Sequence, residues 1–483
     1  MHLIRLMQWS AVTLAMLLST SVLAASDTRW FRLELGGVQA GWRRVVESST
    51  DTRLQWTTTE FLRINRGGQV LEIEAQIEWI TDLDGRPIEV RTRQVLGDAP
   101  SISTWRFGEG HIEITTVQGG RTHTSEVPSP TEPWLTPPTA RTFVAARGDA
   151  GADVIVYGTI LPELGAAVVQ QRFERLGTET VHWQGQALPA TRWTIETKGL
   201  PFTGEQLLSS DWRPLGGVMH LPFGALSDAI AGPEVQHLTG DTPELFTSLF
   251  VKPQGDLGGV HQQDRLLLRL HSKDGSDIKL EASGAQTIAG RGQGHITILV
   301  DPSAPLPVAD DEAADPSFRQ ASSLIDSADP HVVALVHKAV PQRDANWPRR
   351  AEAMRDFVRR WVRTKGLSTA FASASETAQT REGDCSEHAV LLAAMLRADG
   401  IPSRVATGLV WIDWADAFGW HMWTQAMLHG RWVDLDATLP MAYSPGHILV
   451  STSALADGDG QGELIGLLGL LGNLNIEVAE SGP

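Results

Sequence analysis

The chain has 483 residues, 42% of them hydrophobic, and a formal net charge of −17 at pH 7. This length predicts two or three domains with well-packed cores. The acidic balance argues against nucleic acid or an anionic membrane surface as a partner, because both are bound through basic patches. With a single cysteine, the chain cannot form an internal disulfide.

Residues 1–24 predict a signal peptide. Arg5 supplies a positive charge, Trp9 to Leu18 an apolar stretch, and Val22 to Ala24 a small-residue cleavage site. A spanning helix needs about 20 apolar residues, and both this stretch and the run from Leu464 to Leu471 are shorter. We therefore expect a soluble, exported, periplasmic protein that has no transmembrane segment once the signal is removed.

Residues 25–300 predict antiparallel β structure in one or two lobes. Short segments rich in Val, Ile, Thr and Trp, such as LEIEAQIEWITD and HIEITTV, are separated by glycine-containing turns. A proline-rich break from Val127 to Thr139 divides this region. No catalytic constellation is recognisable in it, so its sequence leaves the role of the β region open.

Residues 301–318 predict a linker, because prolines, acidic residues and alanines are combined there without a hydrophobic period. Helical patterns follow in 319–483, among them PHVVALVHKAV and a run that opens at Pro348 and closes at Gly366. Strands followed by helices indicate an α+β chain. We expect few contacts across the linker and a separately folding C-terminal domain.

The only cysteine, Cys385, opens the run CSEHAVLLAAMLRA. Asp384 and Glu387 have the spacing of a capping box, and Gly400 ends the run, which predicts a helix that begins at Cys385. At that position, unpaired backbone N–H groups and the helix dipole favour a thiolate. A cysteine that only fills a core is the alternative, but such a residue is more typical of mid-helix positions.

A thiolate nucleophile needs a base close to the sulfur. His388 lies on the same helix, one turn further along, and cannot easily approach the sulfur from the substrate side. The stretch HMWTQAMLHGRWVDLDAT, in contrast, predicts a hairpin with a two-residue turn at His429 and Gly430. Its first strand carries His421, which we take as the candidate base.

The register of this hairpin selects the group that orients the base. If Leu428 pairs with Arg431, His421 and Asp436 lie diagonally on one face, within reach of each other. Asp434 shares that face one step further away, and becomes the choice if a bulge shifts the pairing. An ordinary half-buried hairpin with solvent-facing polar residues is the structural alternative.

Two blocks, GDCSEHAVLLAAMLRADGIPSRVATGLV and FGWHMWTQAMLHGRWVDLDATLP, resemble the transglutaminase-like core of the papain-like cysteine-enzyme superfamily, as found in exported bacterial proteins. Three motifs match in order between about Ser323 and Val450. The resemblance implies a papain-like α+β domain in 319–483 with Cys385 as nucleophile, His421 as base and Asp436 as orienting residue. Where the family often has glutamate, this chain has Gln425.

The resemblance implies acyl transfer through a thioester on amide bonds of proteins or peptides, with peptidoglycan peptides among the candidate substrates. The backbone N–H of Cys385 is the expected oxyanion donor. Gln379 and Trp347 are candidates for a second one, with solvation of a loop as the alternative for Gln379 and packing ahead of Pro348 as the preferred role of Trp347. Hydrolysis is favoured over transamidation, because Asp413 and Asp416 would hold water near the histidine. A binding or assembly factor that keeps the fold without catalysis is the competing function.

We expect neither a cofactor nor a metal ion. One cysteine cannot build a zinc-thiolate site, and the H-E-x-x-H pattern does not occur. The segment DGDGQGE, which starts at Asp457, has acidic residues but lacks the twelve-residue calcium-loop pattern, so it predicts a turn. The loop from Trp411 to Trp420 either shapes a substrate cleft or forms a packed connection.

Overall fold

The structure is a computed structural model. It describes residues 25–481 except 67–68, 97–98, 119–120, 201–202, 222–223, 245–249, 343, 365–371, 458–469 and 471. The predicted signal peptide, and the predicted turn beyond Asp457, lie outside the described residues. Among these described residues, every helix is too short or too polar to cross a membrane.

The described part of residues 25–231 forms one antiparallel sheet of fourteen strands. Its halves, β1–β8 and β9–β14, meet where β1 pairs with β14. One helix, α1 (Pro137–Asp149), lies between the halves in sequence. The strands are β1 (Ala25–Leu35), β2 (Val38–Ser49), β3 (Leu54–Arg66), β4 (Gln69–Thr81), β5 (Pro87–Leu96), β6 (Ala99–Phe107), β7 (His111–Gln118), β8 (Arg121–Pro128), β9 (Val154–Ile160), β10 (Val168–Trp183), β11 (Gln186–Thr197), β12 (Thr203–Ser209), β13 (Pro214–Leu221) and β14 (Gly224–Ala231).

Alternation of apolar and polar residues explains why this region forms strands. In β7, Ile112 and Ile114 are buried, whereas the threonines and glutamate between and after them are more exposed. Two buried clusters lie along the sheet, one around Trp79 and Trp105 that also includes Ile160 of β9, and one around Phe173 and Trp193. Large aromatic side chains thus hold both halves together.

The rest of the chain mixes helices and strands. Its elements are β15 (Leu266–Ser272), β16 (Gln286–Gly292), β17 (His295–Val300), α2 (Asp310–Ala314), α3 (Pro330–Ala339), α4 (Trp347–Trp361), α5 (Ala374–Thr380), α6 (Cys385–Ala398), β18 (Ser403–Ile412), β19 (Ala417–Leu428), β20 (Arg431–Leu435), β21 (His447–Ser453) and β22 (Leu474–Ser481). Short 3₁₀ turns occur at Pro162–Leu164, Pro233–Gln236, Val260–Gln262 and Pro316–Phe318.

Helix α6 is the centre of the C-terminal part. Nearly all of its side chains are buried, which is the pattern of a helix surrounded by protein. It packs against β19 and β18 of a four-stranded antiparallel sheet with the order β20-β19-β18-β21, and against α3, α4 and α5. The α+β class predicted from the sequence, with antiparallel β structure first, is therefore confirmed.

A second four-stranded sheet, in the order β16-β17-β15-β22, packs on the same unit. Leu268 and Ile298 of this sheet lie in one buried cluster with Leu409 and Phe418 of β18 and β19. Its edge strand β22 comes from the end of the described chain and pairs with β15. Residues before 300 therefore share a core with residues after 400.

The segment 301–318 has regular contacts in the structure. The backbone N–H of Leu306 donates to the carbonyl of Gly284, and that of Val308 to the carbonyl of Gly430, at 2.8 and 2.9 Å. The segment also contains α2, whose Glu312 bonds to the neighbouring sheet. The domain boundaries of the sequence analysis stay a prediction, but this segment is packed where a linker would be solvated.

Candidate active site

Cys385 is the first residue of α6, as the capping pattern predicted. The Asp384 carboxylate accepts the N–H of Ser386 at 2.8 Å, and the Glu387 carboxylate accepts the N–H of Asp384 at 2.8 Å. Cys385 is half-buried. The N–H of a first helical residue has no partner inside its own helix, so it can donate to a bound oxyanion.

The predicted hairpin is confirmed with its predicted register. Leu428 pairs with Arg431 and Thr424 with Leu435, around a turn in which His429 and Gly430 both have positive φ, 52° and 71°. A two-residue turn of this kind matches the twist of the flanking strands. The hydroxyl of Thr424 donates to the carbonyl of Ala389 at 2.9 Å, which fixes β19 against the first turns of α6.

This packing brings the three predicted residues together. His421 on β19 bonds through Nε2 to Oδ2 of Asp436 at 2.8 Å, and the side chain of Cys385 lies near enough to raise the pKa of the ring. Because Nε2 is engaged by the carboxylate, Nδ1 is the nitrogen that is left for the sulfur. His421 and Asp436 are both buried.

Electrostatic interactions determine the pKa values of His421 and Asp436. Burial lowers the pKa of His421, but the attraction of the Asp436 carboxylate and the hydrogen bonds to Asp436 and Cys385 outweigh burial and raise it to about 10. Burial acts to raise the pKa of Asp436, yet the two neighbouring histidines hold it well below its usual range. The buried pair of His421 and Asp436 is therefore held as imidazolium and carboxylate.

Four donors surround the Asp436 carboxylate. Oδ1 accepts the backbone N–H groups of Thr438 and Leu439 at 2.7 and 3.3 Å. Oδ2 accepts Nε2 of His421 and also Nε2 of a second histidine, His447, at 3.1 Å. The sequence analysis missed His447, and the signal that could have drawn notice to it is a histidine that opens the apolar strand HILV.

Comparison with known proteins agrees with this geometry. Residues 335–437 match the family model of the Transglutaminase-like superfamily, and this range contains Cys385, His421 and Asp436. The chain contains a transglutaminase-like domain. The match ends before His447, which lies in the segment that follows it.

The chain is also similar to two solved structures. One is a proposed cysteine protease from Cytophaga hutchinsonii, at 17% identity, with 44% of this chain and 81% of that chain covered and a TM-score of 0.29. The other is the periplasmic domain of TgpA from Pseudomonas aeruginosa bound to ethylmercury, at 14% identity, with 62% and 94% covered and a TM-score of 0.24. No curated protein matches the chain.

Asp434, the second choice for the orienting residue, has other partners in the transglutaminase-like domain. Its Oδ1 accepts Nε1–H of Trp423 and Nε2–H of Gln425, each at 2.8 Å, and its Oδ2 accepts the backbone N–H of Ala285 at 2.8 Å. Burial raises its pKa despite these bonds. Asp434 therefore attaches the loop before β16 to the domain, while Asp436 contacts the histidine.

The attachment leaves no room beside Asp434. Gly284 has φ of +58°, and a Cβ built on it would lie 2.1 Å from Oδ2 of Asp434 and 2.5 Å from Nε2 of Gln425. Gln425, at the position where the family often has glutamate, accepts Nε–H of Arg404 at 3.0 Å and is fully buried. It is a structural residue here, with no surface for a substrate to touch.

The other candidates of the sequence analysis lie apart from the nucleophile or are engaged elsewhere. Nδ1 of His388 bonds to the carbonyl of Asp384 at 2.6 Å, a contact within its own helix. The amide of Gln379 donates to the carbonyl of Ser375 at 3.1 Å, so it is used inside α5. Trp347, at the start of α4, is 41% exposed. The second oxyanion donor is thus not assigned to either residue.

Most of the predicted loop from Trp411 to Trp420 belongs to β18 and β19, and only residues 413–416 connect the two strands. Trp411 and Phe418, on the strands at either side, are buried in the cluster shared with the second sheet. Trp414, at the tip of the loop, is 76% exposed and contacts the ring of Phe250 edge-on. Only the tip of the loop is therefore available to another molecule.

His421, Asp436 and His447 place one ligand atom each within 4.8 Å of one another, a spacing that a metal ion could use. The hydrogen bonds from the two rings to Oδ2 account for these atoms without an ion. An ion bound there would displace both N–H protons from the carboxylate. That the chemistry needs no metal stays a prediction.

A buried carboxyl group lies directly behind the nucleophile. Glu387 is fully buried, and Gly383, with φ of +152°, lets it approach, because a Cβ there would lie 2.3 Å from Cβ of Glu387. Its Oε1 accepts the backbone N–H of Ala372 at 3.0 Å. Burial, together with the neighbouring Asp384 carboxyl, raises the pKa of Glu387 to about 8.

This shift predicts a dependence of stability on pH. A carboxyl that titrates at 4.5 when unfolded and near 8 when folded binds its proton more tightly in the folded state between these values. The free energy of unfolding must then fall as the pH rises through that window. We expect the thermal midpoint of the wild type, relative to Glu387→Gln, to decrease from pH 4.5 to 8. If the thermal midpoints of the two proteins change in parallel with pH, the raised pKa of Glu387 is contradicted. His421 and Asp436 are present in both proteins, so their titration does not affect this comparison.

Proposed function

We propose that this protein is an exported thiol enzyme that transfers acyl groups from amide bonds of protein or peptide substrates, using Cys385, His421 and Asp436. The observation that carries the proposal is the position of His421, which is hydrogen-bonded to the buried Asp436 and lies near enough to Cys385 for the cysteine to raise its pKa. A nucleophile, a base and an orienting group in series are the parts that covalent acyl transfer requires.

The first half of the reaction forms a thioester. The thiolate of Cys385 attacks the amide carbonyl carbon, a C–S bond forms, and the oxygen takes the negative charge near the backbone N–H of Cys385. Collapse of this intermediate breaks the C–N bond. The imidazolium of His421 gives its proton to the leaving nitrogen, so a free amine departs and the ring becomes neutral.

The second half regenerates the thiolate. A water molecule gives a proton to the neutral ring of His421 as its oxygen attacks the thioester carbon, and the C–S bond breaks to release a carboxylic acid. Asp436 keeps its charge throughout, and its role is to hold the ring and to stabilise its protonated form. An amine in place of water would give a new amide by the same steps.

Water is the proposed acceptor. The side chain of Asp413 is 67% exposed on the loop that precedes His421. A solvated carboxylate there keeps water near the site, whereas selection of an amine would require apolar walls that exclude water. Substrates would be extended peptides, including the peptides of peptidoglycan, in keeping with the proposed periplasmic location. That location rests on the signal-peptide pattern in residues 1–24.

The large N-terminal sheet favours a second candidate function. Its fourteen strands contribute none of the three residues described above, so the protein could instead be a binding or assembly factor with an inactive domain. The two candidates differ in whether a covalent adduct ever forms on Cys385.

A trapping experiment tests the proposal. We expect a peptide panel, quenched in acid and digested, to yield a peptide around Cys385 that carries the acyl group, and a hydrolysed product in solution. Protein blocked with iodoacetamide beforehand is the control, since its only thiol is occupied. With a lysine-like amine in excess, a dominant amine adduct would overturn the preference for water. Complete absence of adducts across peptides would support the binding factor.

A further inference from the structure

His447 is a second histidine on the carboxylate that orients the base. It is fully buried at the start of β21, and its Nε2 lies 3.1 Å from Oδ2 of Asp436, the same oxygen that accepts from His421. The range that matches the family model ends ten residues earlier, at residue 437. His447 therefore belongs to the part of the site that the family match leaves undescribed.

Both ring nitrogens of His447 face acceptors. Nδ1 lies 3.0 Å from the carbonyl oxygen of Ser444, and a carbonyl can only accept. The ionised carboxylate of Asp436 can likewise only accept from Nε2. Nε2 of His447 therefore serves as a hydrogen-bond donor to an ionised carboxylate, and such charge-assisted bonds are the stronger ones.

Several neighbours fix the ring in this orientation. The ring of Tyr443 stacks on it with centroids 4.2 Å apart, and Trp423 meets it edge-on at 5.3 Å. The hydroxyl of Ser444 bonds to Nδ1 of His261 at 2.8 Å. His261 comes from the 3₁₀ turn before β15, so the region ahead of the predicted linker also supports this side of the site.

Other charges near the ring are few and opposed in sign. The titratable groups that face His447 from the packed elements are Asp436, Asp434, His421, His261 and Tyr443. Only the two aspartates can be negative, and Asp434 is already bonded to Trp423, Gln425 and Ala285. The Asp436 carboxylate is thus the partner to which Nε2 of His447 donates.

We propose that His447 is a positioning residue, which donates to Asp436 and thereby holds this carboxylate ionised and aligned with His421. The inference rests on the proposed role of the Cys385 and His421 pair. It adds a fourth residue to the site and a physical reason why Asp436 stays ionised. If the donor is lost, a buried carboxylate loses a charge-assisted hydrogen bond and takes up a proton more readily. His421 then loses its counter-ion, and the thiolate beside it is no longer favoured.

Alkylation by iodoacetamide tests this without any substrate. Because Cys385 is the only cysteine, the rate reports on its thiolate alone. In His447→Phe, which keeps a ring but no donor, we expect the rate at about pH 6 to fall roughly tenfold or more below the wild type. In His447→Gln, which keeps an N–H donor, we expect most of that loss to be recovered. At about pH 10, where a thiol ionises unaided, the variants should react alike.

The outcomes separate the proposal from simpler roles. A wild-type pH profile in His447→Phe would overturn it, as would an equal loss in both variants, which indicates a packing role. If His447→Phe does not fold, nitrogen NMR of the wild type decides, with the resonances assigned by their absence in His447→Gln. A proton on Nε2 near neutral pH supports the proposal, and an Nε2 without a proton overturns it. Failure to find any peptide substrate would leave these results unchanged, because none of them uses one.

Discussion

Cys385→Ala will lose acyl-transfer activity by roughly 10³-fold or more, while its thermal unfolding stays close to that of the wild type. Removal of the attacking atom of a triad leaves only binding and the oxyanion donor, which explains the size of the loss. The sulfur is half-buried at a helix terminus and only borders the main core, so its removal should cost about 1 kcal/mol or less of unfolding free energy. Peptide hydrolysis and calorimetry on the same samples measure both quantities.

The matched control for this prediction is His388→Gln. His388 is a buried residue of the same helix, and its contact with the carbonyl of Asp384 lies outside the triad. We expect this variant to lose stability but to keep its activity per folded molecule. The reverse result, with Cys385→Ala unfolding at a much lower temperature and still active, would make the cysteine a core residue.

A chain that begins at Arg319 will fail to fold, whereas one that begins at Phe250 will fold. More than half of the buried cluster under the second sheet comes from residues 251–300. Burial of each Leu or Ile side chain contributes about 1.5–3 kcal/mol, so loss of this set exceeds the usual 5–15 kcal/mol of net stability. The strand β22 would also lose its partner β15. Near-ultraviolet circular dichroism and thermal unfolding distinguish the two chains.

A cleavage experiment on the full chain supplies the control. A protease site placed in the exposed turn at Ser303 and Ala304 cuts the segment 301–318 without removing any residue. We expect the two fragments to co-elute until denaturant separates them, because they share a core. If the fragments separate in native buffer, or if a chain that begins at Arg319 is stable, the segment 301–318 is a simple linker.

Local patterns made the hairpin and the helix start predictable. The turn at His429 and Gly430 and the alternation on both sides fix the register of β19 and β20 within a few residues of sequence. The capping box around Cys385 is equally local. Since these two elements carry the nucleophile and the base, the positions of both could be deduced before any three-dimensional information.

Contacts between distant segments were beyond such reasoning. Asp434 and Asp436 have the same chemistry and lie two residues apart, but one of the three donors to Asp434 is the backbone N–H of Ala285, 149 residues away. His447 contacts Asp436 only because β21 pairs with β18, and nothing in its own neighbourhood signals that pairing. Composition alone did not indicate the contacts of the segment 301–318, in which the backbone N–H groups of Leu306 and Val308 donate to the carbonyls of Gly284 and Gly430.

The close contact at Gly284 has a consequence for relatives of this chain. Wherever a homologue keeps the second sheet attached through an aspartate at the position of Asp434, any side chain at the position of Gly284 would overlap with that carboxylate. The two positions are therefore expected to covary, with glycine retained as long as the aspartate is and released when it changes. In an alignment, this pair would mark the proteins whose transglutaminase-like domain includes the preceding strands.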